Sequence, residues 1–173
     1  MRSYLRAYAL IRIEDLAMPI LASSEDCNCY AVRAAARHVT QAYDQYLAPA
    51  GLRTTQFSIL ARLKRLGPLT IHTLAKDMVM DRTTLGRNIL PLERDGLIRI
   101  EATASDRRAK ELHLTKAGEK RLQVAHERWS EAQVRFETTF GPRRAAELRK
   151  ILRAVVASEF GSADDGRAVF ADR

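Results

Sequence analysis

The sequence is poor in the residues that build disulfide frameworks and zinc centres. Its 173 residues contain two cysteines, Cys27 and Cys29, which is too few for a disulfide scaffold or a four-cysteine zinc site. The chain also has no run of about 18 apolar residues, the length that a membrane-spanning helix needs. We therefore expect a cytoplasmic protein that has no membrane partner.

Residue types that favour strands and turns are also scarce. Aromatic residues make up 6% of the chain, and there are 8 glycines and 5 prolines. Alanine, leucine and arginine dominate, and this mixture favours helix over strand. Apolar residues make up 46% and charged residues 29% of the sequence, which is typical of a folded domain rather than a disordered chain.

Motifs that would indicate an enzyme are missing. The sequence has no glycine-rich phosphate loop, no nucleophile and base at a characteristic spacing, and no His-Glu-x-x-His zinc motif. His38 follows Cys29 by about nine residues, roughly two and a half helical turns, so the two side chains are too far apart to share a metal. We expect no catalytic activity, no cofactor and no metal site.

Positive charge is concentrated in the middle of the chain. The net charge is +8, and residues 51–110 hold 12 lysines and arginines against 6 acidic residues. Such an excess favours an anionic partner, with nucleic acid the first candidate. A solvated basic surface is the alternative that charge alone leaves open.

Hydrophobic spacing predicts a mainly α-helical chain with one β-hairpin. Apolar residues recur at helical intervals from Cys29 to Leu47, and then in three segments that open at Thr54 or Thr55, at Thr70 and at Asp81. Residues 97–101 and 111–114 alternate like strands around a polar turn at 104–108. Helical spacing resumes after Thr115, where Trp129, Phe136 and Phe140 form an aromatic stripe.

Three helices followed by a two-stranded β wing describe a winged helix-turn-helix, in which the longer helix enters the DNA major groove. The segment from Asp81 to Asn88 carries the side chains for that role. Arginine bonds guanine edges, asparagine pairs with adenine, and threonine reaches phosphate or a thymine methyl group. Arg107 and Arg108 stand at the predicted hairpin tip, where a narrow minor groove attracts arginine. The sequence therefore predicts a protein that binds double-stranded DNA.

Six motifs follow one another along residues 29–160, and together they resemble the MarR family of bacterial transcription regulators. They are Leu52–Leu60, Leu74-Ala75, Asp81–Leu85, Leu92–Ile98, Asp106–Arg108 and Leu114–Gly118. The resemblance implies a homodimer that binds a pseudo-palindromic operator as a repressor and is released by a small ligand or by oxidation. It places the winged helix at 52–115 and dimerisation helices at 29–50 and 116–160, with an N-terminal extension at 1–28 and a loose tail at 161–173.

Several features outside the motifs leave alternatives open. The aromatic stripe fits either the dimer interface or a core within one chain. Residues 1–24 could be a helical arm or a dispensable leader, and Met18 is an alternative start. A non-DNA interaction module that kept the winged shape is a further reading, although the basic residues argue against it.

The family resemblance also assigns DNA contacts residue by residue. In the recognition helix the contacts fall on Arg82, Thr83, Thr84, Arg87 and Asn88, and in the wing they fall on Asp106 and Arg108. The carboxylate of Asp106 would repel phosphate, so we expect it to orient Arg108 through a charge-assisted hydrogen bond. A simple turn residue is the alternative for Asp106.

Cys29 is similar in position to the reactive cysteine of the organic-hydroperoxide-sensing branch of the family. Tyr43 matches the first of the two tyrosines that hydrogen-bond that cysteine, whereas Thr54 stands at the second position. A helix N-terminus would favour a thiolate at Cys29, and Cys27 would resolve an oxidised Cys29 only if this segment frays. The alternative is a buried cysteine that acts as a small hydrophobic residue.

The other effector hypothesis is a small organic ligand, aromatic or phenolic in character. We expect it in the crevice between the dimerisation helices and the winged domain. Candidate lining residues for this pocket are Tyr43, Tyr46, Phe57 and Arg62.

Overall fold

The computed structural model describes residues 27–102 and 110–158. Within these ranges no helix has the length and apolar character of a membrane span. The helices and strands, in chain order, are α1 (Asn28–Leu47), α2 (Thr54–Leu66), β1 (Leu69–Thr70), α3 (Ile71–Asp77), α4 (Arg82–Arg94), β2 (Ile98–Ala102), β3 (Lys110–Leu114), α5 (Lys116–Phe140) and α6 (Pro142–Ala157). The mainly α winged helix-turn-helix predicted from the sequence is confirmed.

Polar side chains and glycine set the bounds of the helix-turn-helix. The Thr70 hydroxyl accepts a hydrogen bond from the Thr73 N–H at the start of α3, as expected for a helix N-cap. Helix α4 continues through Pro91. It ends at Arg94, and Gly96 follows with a φ of 69°, which suits glycine because no Cβ opposes that conformation. The Leu97 N–H then returns to the Leu92 carbonyl at 2.8 Å.

The wing hairpin pairs β2 with β3, from Ile98 opposite Leu114 to Ala102 opposite Lys110. The predicted two-stranded wing is incomplete, because β1 adds a third strand with Leu69 opposite Leu112. A strand of two residues is too short to produce an alternating pattern, so the sequence gives no sign of it. The added strand ties the wing to the residues that lead into α3.

The core lies beneath the recognition helix. Its fully buried side chains come from α1 to α4, β2 and β3: Leu47, Ile59, Leu60, Leu74, Leu85, Ile89, Leu92, Ile98 and Leu112. Phe57 of α2 stacks on Trp129 of α5 with 5.9 Å between ring centroids. The Trp129 part of the aromatic stripe therefore belongs to the core of one chain.

Helix α5 connects this domain to the remaining helices. At its start the Thr115 N–H and hydroxyl both donate to the Leu97 carbonyl, and the hydroxyl also reaches the Gly96 carbonyl at 2.7 Å. Helix α5 then packs against α1 and α6. Residues 151–158, at the end of α6, are exposed in the single chain.

Candidate nucleic-acid interface

Helix α4 has one buried face and one exposed polar face. Leu85, Ile89 and Leu92 are buried, and their spacing of three and four residues places them on one side of the helix. The exposed side chains of the first two turns are Arg82, Thr83, Thr84 and Arg87. The apolar face thus fixes the helix in the domain while the polar face remains open to a partner.

Asp81 fixes the first turn of α4. Its Oδ1 accepts a hydrogen bond from the Thr84 N–H at 2.7 Å. Hydrogen bonds from the side chain and then the backbone of Thr84 lower the pKa of the Asp81 carboxyl, because they favour its charged form. Asp81 therefore stays ionised at neutral pH and caps the helix that carries the candidate DNA contacts.

Asn88 differs from the other predicted recognition residues. It is half-buried, and its Nδ2 donates to the Thr84 carbonyl at 2.9 Å. A bidentate contact with adenine needs both Nδ2 and Oδ1. The bond to Thr84 occupies one of the two Nδ2 hydrogens, so the other hydrogen and Oδ1 are the groups that Asn88 can offer to a base.

The two arginines of the exposed face form no ion pair within the described part of the chain. Within residues 27–102 and 110–158, neither Arg82 nor Arg87 forms an ion pair with a carboxylate, whereas Arg62, Lys64, Arg94 and Arg99 each do. Arg82 instead has its Nη2 at 2.9 Å from Nδ1 of His72. The positive charge next to the α4 N-terminus is therefore available to an anionic partner.

The base of the wing carries a mixed cluster on one face of the hairpin. Arg99 pairs with Glu101 at 3.1 Å, and Nε2 of His113 lies 3.5 Å from Glu101 and 3.6 Å from Glu111. The predicted wing contacts Asp106, Arg107 and Arg108 lie outside the described residues.

The four predicted pocket residues lie in separate surroundings. The Tyr43 hydroxyl donates to Oε1 of Gln133, and Tyr46 lines a shallow groove with Glu131 and Arg135. Phe57 is buried against Trp129, and Arg62 pairs with Asp77 at 3.1 Å. The structure thus does not bring them together around one cavity.

Tyr43 instead lines an apolar cleft of about 530 Å³. Its walls come from α1, α5 and α6, with Val39, Phe136 and Leu148 among the lining residues. Burial and then the nearby Glu137 raise the pKa of Tyr43, against the opposing effect of Arg149. The phenol is therefore a neutral donor at the wall of a largely apolar space.

Both cysteines are exposed at the start of α1. The Cys27 sulfur accepts a hydrogen bond from the Tyr30 N–H at 3.4 Å, and Cys29 lies in the first turn of the helix. The alternative of a buried hydrophobic cysteine does not hold in the single chain. Tyr43 lies about 14 residues further along the same helix, or about 21 Å, so one chain does not place it beside Cys29.

Two further surface residues near α4, Leu90 and His72, were not predicted from the sequence. Leu90 is 62% exposed and lies three residues after Arg87, on the same side of the helix. His72 contacts Arg82 across the turn between α3 and α4. The spacing of Leu90 from Arg87 was a usable signal, whereas the contact of His72 depends on how the two helices cross.

Metal binding finds no support in the described ranges, where no group of three His, Cys, Asp or Glu side chains is placed to hold an ion.

Comparisons with known proteins point to transcriptional regulators. A model of MarR family sequences matches residues 52–110. The HTH-type transcriptional regulator YwoH of Bacillus subtilis, itself uncharacterized, is 29% identical over 92 residues, which cover 53% of this chain and 66% of that protein.

Solved structures give matches over more of the chain. The crystal structure of the Mycobacterium tuberculosis transcriptional regulator MosR is 36% identical, with a TM-score of 0.67, and the match covers 79% of this chain and 100% of that one. A second crystal structure of MosR, in complex with DNA, is 40% identical with a TM-score of 0.66 and coverage of 76% and 98%.

Proposed function

The chain belongs to the MarR family, and on that premise we propose that it is a cytoplasmic repressor, not an enzyme, that binds a pseudo-palindromic DNA operator through α4. The observation that carries this proposal is the exposed row of Arg82, Thr83, Thr84 and Arg87. The opposite side of the same helix is anchored in the core by Leu85, Ile89 and Leu92. A rigid helix with an open cationic face has the chemistry that major-groove reading requires.

The MosR structure in complex with DNA supports the same conclusion, since MosR shares 40% of its residues with this chain over the matched region. In this chain Arg87 is the residue best placed to read a base edge, because it is exposed and has no carboxylate partner in the described ranges. Thr83 and Thr84, in the first turn, are proposed to contact phosphate or a thymine methyl group. Asn88 is proposed to join them through Oδ1 and the Nδ2 hydrogen that is not donated to the Thr84 carbonyl.

The wing is proposed to contact the adjacent DNA backbone or minor groove through Arg107 and Arg108, with Asp106 orienting Arg108. Contacts of this kind neutralise phosphate without reading sequence. The Arg108→Ala variant should therefore weaken binding to many sequences alike and reduce the salt dependence of binding.

A homodimer is the proposed assembly, formed by α1 and α6. The exposed apolar residues near the start of α1 and along α6 are Tyr30, Val32, Ile151, Leu152, Val155 and Val156. A monomer that leaves such a surface in water is disfavoured, because large exposed apolar patches mark interaction sites. A two-fold dimer would present its two α4 helices to successive major grooves about 34 Å apart.

Release from the operator is proposed to follow binding of a small organic ligand, aromatic or phenolic in character, in the cleft beside Tyr43. The cleft joins α1 to α5 and α6, which are the helices that set the proposed dimer geometry. Tyr43, whose hydroxyl hydrogen is donated to Gln133, would supply a neutral hydrogen-bond acceptor, and Arg149, paired with Glu137 at 2.8 Å, would supply a cation for a carboxylate group. A ligand that separates these helices would change the spacing between the two recognition helices.

A thiol sensor at Cys29 is the second candidate for the effector step, and its exposure in the first turn of α1 favours it. Treatment of the reduced protein with organic hydroperoxide separates the two candidates. Release of DNA by wild type but not by Cys29→Ser, with Cys27→Ser as the matched control, identifies the thiol. Release that persists in Cys29→Ser, or no release from wild type, leaves the organic ligand.

The DNA proposal is tested by footprinting the full-length protein on the DNA that flanks its own gene. We expect two protected major-groove segments about 34 Å apart. Binding to random duplex should also weaken steeply as salt rises, because each phosphate contact releases counterions. No protection, together with a flat salt dependence, would indicate a non-DNA interaction module instead.

A further inference from the structure

We propose that His72 is a positioning residue for DNA recognition, which holds the Arg82 guanidinium at the first turn of α4 before DNA arrives. This inference rests on the proposed function, because it concerns how one of the proposed DNA-contacting side chains is held. It is based on the hydrogen bond between Nη2 of Arg82 and Nδ1 of His72, which are 2.9 Å apart. This bond links α3 to α4.

The chemistry of the two groups fixes the direction of this hydrogen bond. A guanidinium group has five N–H donors and no acceptor, so Nδ1 of His72 must be the unprotonated acceptor. The neutral imidazole therefore carries its proton on Nε2. A histidine protonated on both nitrogens would lose the bond and place a second positive charge beside Arg82.

Both ends of the bond are attached to firmly held backbone. His72 is the second residue of α3, whose start is capped by the Thr70 hydroxyl. Arg82 is the first residue of α4, whose start is capped by Asp81. Leu74 of α3 and Leu85 of α4 are both fully buried, so the two helices are fixed relative to each other by the core.

A hydrogen bond made in the free protein reduces the entropy that Arg82 loses when it binds DNA. An unrestrained arginine gives up much of its rotamer freedom on being ordered in an interface. The bond to His72 occupies a hydrogen of Nη2 and leaves the Nη1 and Nε hydrogens available for a base edge or phosphate. Arg87 has no comparable hydrogen-bond partner among the described residues, so of the two arginines only Arg82 is held in this way before DNA binds.

The test is a double-mutant cycle on operator binding by the full-length protein. The probe is the DNA duplex that the wild-type protein selects from a randomised library. Affinities are compared for wild type, His72→Ala, Arg82→Ala and the double variant. A second cycle with His72→Ala and Arg87→Ala is the matched control, because His72 does not contact Arg87.

We expect His72→Ala to weaken binding about fivefold in the wild-type background, the change in affinity that corresponds to ordering one long side chain at an interface. In the Arg82→Ala background the same change should have an effect of less than about twofold, whereas in the Arg87→Ala background it should again be about fivefold. His72→Asn should retain wild-type affinity, since its Oδ1 can take the place of Nδ1 as acceptor.

The proposal would be overturned if His72→Ala lowered operator affinity equally in every background. It would also be overturned if His72→Asn lowered the affinity as much as His72→Ala does. If His72→Ala fails to fold, His72→Leu replaces it in both cycles, with the same expectations. Failure of wild type to select any duplex would contradict the proposed function itself. Selection by wild type with no effect of His72→Ala would contradict only the role of His72.

Discussion

Val79 has an unusual backbone conformation for its residue type. Among the described residues it is the only one other than glycine with a positive φ, at 53°. A β-branched side chain is disfavoured in that region because its Cβ approaches the backbone. Val79 is also 70% exposed, so little packing offsets this strain. It lies in the turn that aims α4, between Asp77 and Arg82.

The Val79→Gly variant should therefore be more stable than wild type by about 1 kcal/mol, the cost of a left-handed conformation less the extra entropy of glycine in the unfolded chain. Chemical denaturation of both proteins measures the difference in the free energy of unfolding. A matched change at another exposed valine, Val124→Gly in α5, should instead destabilise by about 1 kcal/mol, because glycine is unfavourable within a helix. A loss of stability in Val79→Gly would show that the turn is not strained.

Gly118 is required for a close approach between α5 and the wing. A Cβ at this position would lie 2.1 Å from the Leu97 carbonyl oxygen and 2.7 Å from Cδ1 of Leu114. Gly118→Ala should lower the free energy of unfolding by about 1–3 kcal/mol, the usual cost of overpacking. Gly86→Ala in α4, where a Cβ meets no atom within 4 Å, is the control and should be neutral or stabilising. Equal thermal unfolding midpoints for the Gly118→Ala and Gly86→Ala variants would contradict this packing.

At the scale of the element, the start of α4 depends on the Asp81 cap. The lowered pKa of Asp81 means that the folded protein favours the charged carboxylate. Its contribution to stability is therefore complete above the ordinary pKa of aspartate, and it is lost as the pH falls through the lowered folded value.

Asp81→Ala should lower the thermal midpoint at pH 7 and weaken operator binding, because the first turn that carries Arg82 and Thr84 loses its cap. Asp81→Asn should retain most of the thermal stability and most of the operator affinity, since asparagine is also a good N-cap. The midpoint difference between wild type and Asp81→Ala should shrink as the pH falls below the ordinary range of aspartate. A difference that stays constant down to low pH would show that the carboxylate does not act as the cap.

The helices and the wing hairpin could be predicted because their patterns are long. The apolar spacing of Leu85, Ile89 and Leu92 identified both the buried side of α4 and, by exclusion, its exposed side. Local contacts that join distant residues could not be predicted. Thr54, proposed as a helix cap, donates both its N–H and its hydroxyl to Asp44, at 2.7 and 2.6 Å, while Gln56 accepts from the Arg53 N–H.

The candidate site shows the same division. Arg82, Thr83, Thr84 and Arg87 are exposed together because one helix carries them all. The hydrogen bond from Asn88 to the Thr84 carbonyl could have been predicted, since the two residues are four apart on one helix. The four predicted pocket residues come from two helices: Tyr43 and Tyr46 from α1, and Phe57 and Arg62 from α2. Packing sets the rotation of these helices relative to each other, so the sequence could not show that the four side chains lie apart.

At the scale of the whole molecule, α6 leaves an apolar surface exposed in the single chain. Val155 is 54% exposed and lies in the last turns of α6, where residues 151–157 are all exposed. We propose that a second copy covers this surface. The dimer would then set the distance between the two α4 helices.

Val155→Glu should shift the protein from dimer to monomer in sedimentation at low micromolar concentration, because a buried, unpaired carboxylate opposes association. Val124→Glu is the matched control, since Val124 is 52% exposed but lies in the half of α5 that packs near the winged domain. We expect the wild type and the control to sediment at twice the chain mass of 19.5 kDa. A wild-type monomer, or a Val155→Glu dimer, would contradict the proposed interface.

Recognition of DNA by the exposed face of α4 is tested by equilibrium binding of Arg87→Ala to the duplex that wild type selects. Arg128→Ala is the control, because it removes the same charge from α5, where Arg128 pairs with Glu131 at 3.0 Å. We expect Arg87→Ala to lose about 1–3 kcal/mol of binding free energy and to relax base preference, while Arg128→Ala binds like wild type. Equal affinities for wild type and Arg87→Ala on that duplex would contradict DNA recognition by this face.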